Sequence, residues 1–164
     1  MEGFNWSAFT KQITVKADMQ TVYDAWTKSG MVEQWFLSRC KYMDASGNSI
    51  PADENVQEGG SYSWHWFAYE EGEQGKILSA NGKDNFVFTF AGNCRTEVVL
   101  SEKEGETLIN ITQSEIPLDD DSKKNIRLGC AFGWTFYLLN LKSILEGGID
   151  LRNKNKNITA VVNN

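Results

Sequence analysis

Residues 59–116 read GGSYSWHWFAYEEGEQGKILSANGKDNFVFTFAGNCRTEVVLSEKEGETLINITQSEI, and this stretch decides the architecture. Within it, SYSWHWFAY (61–69), GKILSA (75–80), NFVFTFA (85–91), TEVVLS (96–101) and TLINITQSEI (107–116) alternate apolar with polar residues. That is the period of a strand with one buried face. Gly, Asn, Asp and Glu fill short gaps between the runs. A parallel crossover needs about a dozen residues or more, so the runs form an antiparallel meander.

Upstream, AFTKQITVKA (8–17) puts Ile13, Val15 and Ala17 on one face, which predicts another strand. Asp18 offers a helix cap to MQTVYDAWTK, where Val22, Tyr23 and Trp26 recur at helical spacing. Ser29-Gly30 interrupts that helix and starts a second short one, MVEQWF. Residues 38–45 supply a further strand, bringing the sheet to about seven. The polar 44–58 stretch, with Gly47 and Pro51, reads as a loop or a mobile lid.

Downstream, Asp119-Asp120-Asp121-Ser122 suits a helix N-terminus, and Gly147-Gly148 suits its end. The span predicts one helix of roughly 25 residues, about 37 Å long. Cys130, Trp134, Tyr137, Leu138, Leu141 and Leu145 share one of its faces. The Asn- and Lys-rich segment 149–164 reads as a loosely ordered tail, in which ITAVV is able to add a short strand. The expectation is one α+β domain over 1–164, with its core at about 8–148.

Composition narrows the function classes. The chain has 164 residues, 41% hydrophobic and 23% charged, which is a globular balance. A net charge of -6 repels a phosphate backbone and an anionic membrane surface alike, so nucleic acid is not an expected partner. Cys40, Cys94 and Cys130 are odd in number and contain no Cys-x-x-Cys pair, which predicts reduced thiols in a cytoplasmic protein. No basic-then-apolar leader and no run of 18 apolar residues occurs, so neither targeting nor membrane insertion is expected. His65 is the one histidine, which excludes metal sites built from several imidazoles. No phosphate-binding, dinucleotide or nucleophile-elbow motif is present, and no metal or cofactor is expected.

Seven strands at ~4.8 Å spacing make a sheet roughly 34 Å wide, whereas a helix is about 10–12 Å across. The sheet must therefore curl around the long helix, and the intervening space is filled by large side chains, water or a ligand. Alternation assigns Tyr62, Trp64 and Trp66, then Phe86, Phe88 and Phe90, then Ile109, Ile111 and Gln113 to the concave side. Gly129, Cys130 and Gly133 face them from the helix beside Trp134, Tyr137 and Leu138. Two glycines one turn apart point either to room beside the sheet or to close packing and a kink.

ITVKADMQTVYDAWTKSGMVEQWF (13–36), the Gly59-Gly60 strand opening, Thr107-x-Ile-x-Ile-x-Gln and GWTFYLLNLKSILEGG (133–148) together resemble one family. It is the activator of Hsp90 ATPase homologue family, within the START-like (SRPBCC) superfamily. The resemblance covers about residues 8–148. It implies a helix-grip fold, a curved antiparallel sheet wrapped around the C-terminal helix over a hydrophobic cavity. Carried onto this chain, the inward aromatic set and the Trp134 face become the cavity lining. Many relatives end the last strand in His where this chain has Gln113. The eukaryotic Hsp90 activators carry an additional N-terminal domain, which is not expected here.

Three functions remain open at this point. The leading expectation is a non-enzymatic binding protein for a small hydrophobic molecule: a lipid, a polyketide or an aromatic compound. Because the inward sets carry no charged residue, that ligand is expected to be largely neutral. The alternatives are a module that contacts a chaperone through its surface, and a cyclase- or hydratase-type enzyme using Tyr137, Gln113 and Cys130. His65 points away from the cavity by alternation, and Cys130 reads as an inert small hydrophobe. Glu70, Glu71 and Glu73 read as a solvated hairpin tip.

Overall fold

The computed structural model describes residues 3–164. Its strands are β1 (Phe9–Val15), β2 (Arg39–Met43), β3 (Ser61–His65), β4 (Glu73–Ala80), β5 (Asn85–Phe90), β6 (Cys94–Lys103) and β7 (Glu106–Ser114). They form one antiparallel sheet in the order β1-β7-β6-β5-β4-β3-β2. The meander is therefore intact from β2 to β7, and β1 closes on its far side by pairing Ile13 with Ile109. Helices α1 (Met19–Thr27) and α2 (Ser29–Trp35) follow β1, and α3 (Gly129–Leu145) follows β7. This is the expected helix-grip arrangement, a curved sheet gripping a C-terminal helix.

Local chemistry accounts for the helix boundaries. Asp18 accepts the backbone N–H of Thr21 at 2.9 Å and its hydroxyl at 2.6 Å, capping α1. The break between α1 and α2 falls at Lys28, one residue before the expected Ser29-Gly30, because Lys28 adopts an extended backbone.

The long C-terminal helix differs from expectation in its first turns. Asp119 does anchor the start, accepting the N–H and hydroxyl of Ser122 at 2.9 and 2.7 Å. Ser122–Leu128 is then wound as a π-helix, and only Gly129–Leu145 is α-helical, a rod of about 26 Å. The wider turn ends where the Gly129 N–H reaches the carbonyl of Lys124, five residues back. Arg127, inside that turn, donates to the Asn5 carbonyl at 2.9 Å and lies over the Phe4 and Phe9 rings. Such tertiary tethers leave no trace in helical periodicity.

The trough between sheet and α3 is also filled more fully than width alone implies. Trp26 from α1 and Trp35 from α2 meet edge-on at 4.7 Å, and Phe36 stacks on Trp35 at 5.2 Å. Phe36 in turn touches Trp64 at 5.3 Å and Trp134 at 5.2 Å. The width comparison counts one helix against the sheet, but α1 and α2 also send rings into the gap. Two polar handles in this cluster are met by backbone: Trp35 Nε1 donates to Ala25 O at 2.8 Å and Tyr42 Oη of β2 to Trp26 O at 2.7 Å. On the sheet, Tyr62 stacks on Trp64 at 3.8 Å and lies across Gly75 on the neighbouring strand. A Cβ at Gly75 would stand 2.5 Å from the Tyr62 ring, so only glycine fits beneath it.

The C-terminal segment is pinned rather than loose, and ITAVV adds no strand. Arg152 is buried at 8% exposure and donates to the carbonyls of Leu37, Glu33 and Gln34, at 2.8, 3.0 and 2.9 Å. Asp150 pairs with it at 2.8 Å, and Asn140 of α3 donates to Trp35 O and accepts from the Leu151 N–H. One guanidinium thus satisfies the orphan carbonyls after α2 and fastens the tail to them.

Arg152→Ala is expected to lower unfolding stability by about 2–4 kcal/mol in urea titrations, because those carbonyls and Asp150 lose their donor. Burial pushes the Asp150 carboxyl up, but hydrogen bonds from Arg152 and Lys154 outweigh it and hold the carboxyl well below the usual carboxylate range. The stability it adds is therefore complete above the unfolded value of about 3.9 and is lost as pH falls through the lower folded value. Asp150→Asn should flatten the acid limb of the stability-against-pH curve.

Candidate functional site

One recess of about 690 Å³ opens at the end of the grip where β3 and β5 finish and α3 begins. Its wall on the sheet side is Trp66, just past β3, and Phe90, the last residue of β5. On the helix side stand Gly129, Cys130, Phe132, Gly133, Trp134, Phe136 and Tyr137. Phe36 contributes the floor between them, meeting Trp66 at 5.6 Å and Tyr137 at 4.8 Å, both edge-on. Tyr69, Glu70, Glu71, Gly72 and Glu73 form one rim, and Val161, Val162 and Asn164 of the C-terminal segment form the other.

Of the expected lining residues, Trp66, Phe90, Cys130, Trp134 and Tyr137 border this recess. Tyr62, Trp64, Phe86, Phe88, Ile109, Ile111, Gln113 and Leu138 do not, being buried in the packed interior. The difference is one of level along the sheet: Trp26 and Phe36 pack against Trp134, Phe36 also against Trp64, and the aromatic recess lies at the hairpin end. Phe36 belongs to the Trp35-Phe36 pair visible in the sequence, but nothing in its spacing showed that it would cross to α3. The Val161-Val162 wall was hidden inside a tail that sequence composition marks as loose.

Two hydrogen bonds tie up polar groups at and behind the helix wall. Trp134 Nε1 donates to Gln113 Oε1 at 3.0 Å, and Tyr137 Oη donates to the Asn164 carbonyl at 2.9 Å. Burial pushes the Tyr137 hydroxyl well above its usual range. Burial also pushes the Cys130 thiol up to about 11 and the Cys40 thiol up to about 12, so at neutral pH both are poor nucleophiles. His65 is half-buried against Gly72, outside the recess. Among the described residues, no cluster of His, Cys, Asp and Glu is placed to hold a metal ion.

Glu73 departs from the hairpin-tip reading. It is the first residue of β4, half-buried, and its carboxylate accepts the backbone N–H groups of Ala91 and Gly92 in the β5–β6 turn. Both turn residues have positive φ, 52° and 81°, which turns their N–H groups towards it. Gly129 and Gly133 fit the reading of room beside the sheet: a Cβ built at Gly133 meets nothing within 4 Å.

A curved seven-stranded sheet around a terminal helix, with an aromatic recess at one end of the grip, defines a helix-grip protein. A sequence model described as "Activator of Hsp90 ATPase homolog 1-like protein" matches residues 16–146, and the chain belongs to that family. No curated protein matches it. Among solved structures, protein SSP2350 from Staphylococcus saprophyticus is similar at 19% identity and a TM-score of 0.70, over 88% of this chain and 96% of that one. The Aha1 dimer from Colwellia psychrerythraea is 19% identical with a TM-score of 0.67, over 86% and 97%. DynU16, from the dynemicin biosynthetic locus, is 18% identical with a TM-score of 0.68, over 90% of this chain and 50% of its own. At these identities the likeness concerns the fold.

Gly133 is a direct test of the recess as spare volume. Gly133→Ala should raise the melting temperature, since it removes a helix-interior glycine worth about 1 kcal/mol and meets no neighbour. A fall in melting temperature would mean the space is not free.

Proposed function

We propose that the chain is a cytoplasmic, non-enzymatic binding protein whose recess takes the apolar body of a small molecule: a lipid, a polyketide or an aromatic compound. The single observation that carries this reading is the recess itself. Its volume of about 690 Å³ falls within the range of sites that enclose small ligands, roughly 300–1,000 Å³. Its depth is aromatic, and no charged side chain borders it at Trp134, Cys130 or Phe36, so the part of the ligand that enters is neutral. DynU16's place in a biosynthetic locus supports a small-molecule occupant. Against the enzymatic reading, the Tyr137 hydroxyl is held by Asn164 and the Gln113 amide oxygen by Trp134.

Trp66 and Trp134 report on occupancy. A panel of lipids, polyketides and planar aromatics should contain compounds that quench tryptophan emission and raise the melting temperature, by about 2.7 kcal/mol of added stability at a hundredfold excess over Kd. Gly133→Leu, which sends a side chain into the opening, should remain folded and abolish both effects. If no compound acts on the wild-type chain, the reading is wrong.

A second reading, contact with a chaperone, rests on an exposed apolar stripe of the C-terminal helical stretch, which meets the recess at Phe132. Leu128, Phe132 and Leu139 lie there four and seven residues apart and are 48%, 60% and 50% exposed. Mixed with purified Hsp90, the chain should form a complex on size exclusion that Leu139→Asp weakens. Migration as separate species would dispose of this reading.

A further inference from the structure

The recess has an edge that its apolar depth does not account for. Three carboxylates, Glu70, Glu71 and Glu73, stand among its bordering residues, and no Lys, Arg or His does. Glu70 and Glu71 are exposed, but Glu73 is half-buried. The two N–H groups of the β5–β6 turn hold its carboxylate beside Phe90, the residue preceding Ala91. Among the described residues none of the three carboxylates forms an ion pair. Of the three cations in the adjoining tail, Arg152 and Lys154 both close on Asp150, at 2.8 and 2.9 Å, and Lys156 does not border the recess.

A carboxylate drawn partly out of water without a counter-charge is unfavourable, and burial pushes Glu73 upward accordingly. The same opening presents the rings of Trp66, Phe90, Phe36 and Tyr137. Aromatic faces attract a cation lying within about 6 Å of the ring centre, most strongly where water is excluded. An anion fixed next to such rings, with no protein cation to neutralise it, is complementary to one chemical class. We infer that the ligand of this recess carries a protonated amine or a quaternary ammonium group, seated between Glu73 and the rings, with its apolar body reaching toward Trp134. The inference rests on the recess being a ligand site and adds the charge of the ligand's outer end.

The test uses dodecyltrimethylammonium, dodecylamine, dodecanol and dodecanoate, which share one chain length and differ in head group. Each is titrated below its micelle concentration into the full chain and followed by calorimetry and tryptophan emission. The two cations should bind about tenfold or more tightly than dodecanol, and dodecanoate should bind least. Glu73→Gln, whose amide oxygen can still accept the turn N–H groups, should narrow the gap between the cations and dodecanol. Glu70→Gln combined with Glu71→Gln, both on the exposed rim, should narrow it less and decides the matter if Glu73→Gln does not fold. Added salt should narrow it too. Gly133→Leu keeps every charge, so loss of cation binding in that variant excludes mere attraction to a protein of net charge -6. Dodecanol binding as tightly as the amines would overturn the cationic assignment and leave the recess reading standing. Failure of all four probes, or equal binding to wild type and Gly133→Leu, would overturn both.

Discussion

The rings of Trp26, Trp35, Phe36 and Trp134 sit between a wide curved sheet and a narrow helix, and the rest of the molecule depends on that wedge. A seven-stranded sheet presents far more apolar surface than one helix can cover, and an uncovered aromatic face would aggregate. The chain answers this with the α1–α2 pair, two short elements that deliver large rings exactly one turn-corner away from the sheet's middle strands. Packed edge-on and stacked, these rings fill the volume, and the Trp35 indole N–H reaches the Ala25 carbonyl, whereas the buried Trp26 N–H has no partner.

Because the wedge is thickest over the middle of the sheet, the leftover space is displaced to one end. There β3 and β5 stop, the start of α3 places Gly129 and Gly133 between the larger side chains of Phe132 and Trp134, and Phe36 borders the opening. The tail closes the remaining side, fastened by Arg152 to the carbonyls that follow α2. One buried cation therefore links the wedge helices, α3 through Asp150 and Asn140, and the wall formed by Val161 and Val162. The geometry of the recess and the stability of the α2 corner are coupled through it.

The recess differs from the interior in electrostatic character as well as in filling. The interior holds neutral groups, as with the Trp134 indole that donates to Gln113. The rim holds carboxylates, one of them built into the sheet as a cap on the β5–β6 turn. A residue with a structural task can thus also set the charge seen by a visitor at the opening.

Much of this was legible in the residues. Period-two runs with short gaps dictate an antiparallel meander, and Asp18, Asp119 and Gly147 mark helix ends through local hydrogen bonding and backbone freedom, which act over only a few residues. Alternation also placed Trp66 and Phe90 on the inner side, and helical spacing did the same for Cys130, Trp134 and Tyr137, since a side chain's face follows from backbone geometry alone. Whether an inward ring ends in packed core or at an open wall depends on what another part of the chain brings against it. Phe36 filling the middle, Glu73 capping a distant turn and Arg152 holding the tail are contacts between segments far apart in sequence, and local pattern carries no record of them. Only the assembled fold, where volume is finite and each buried polar group needs a partner, decided where the space was left and what charge surrounds it.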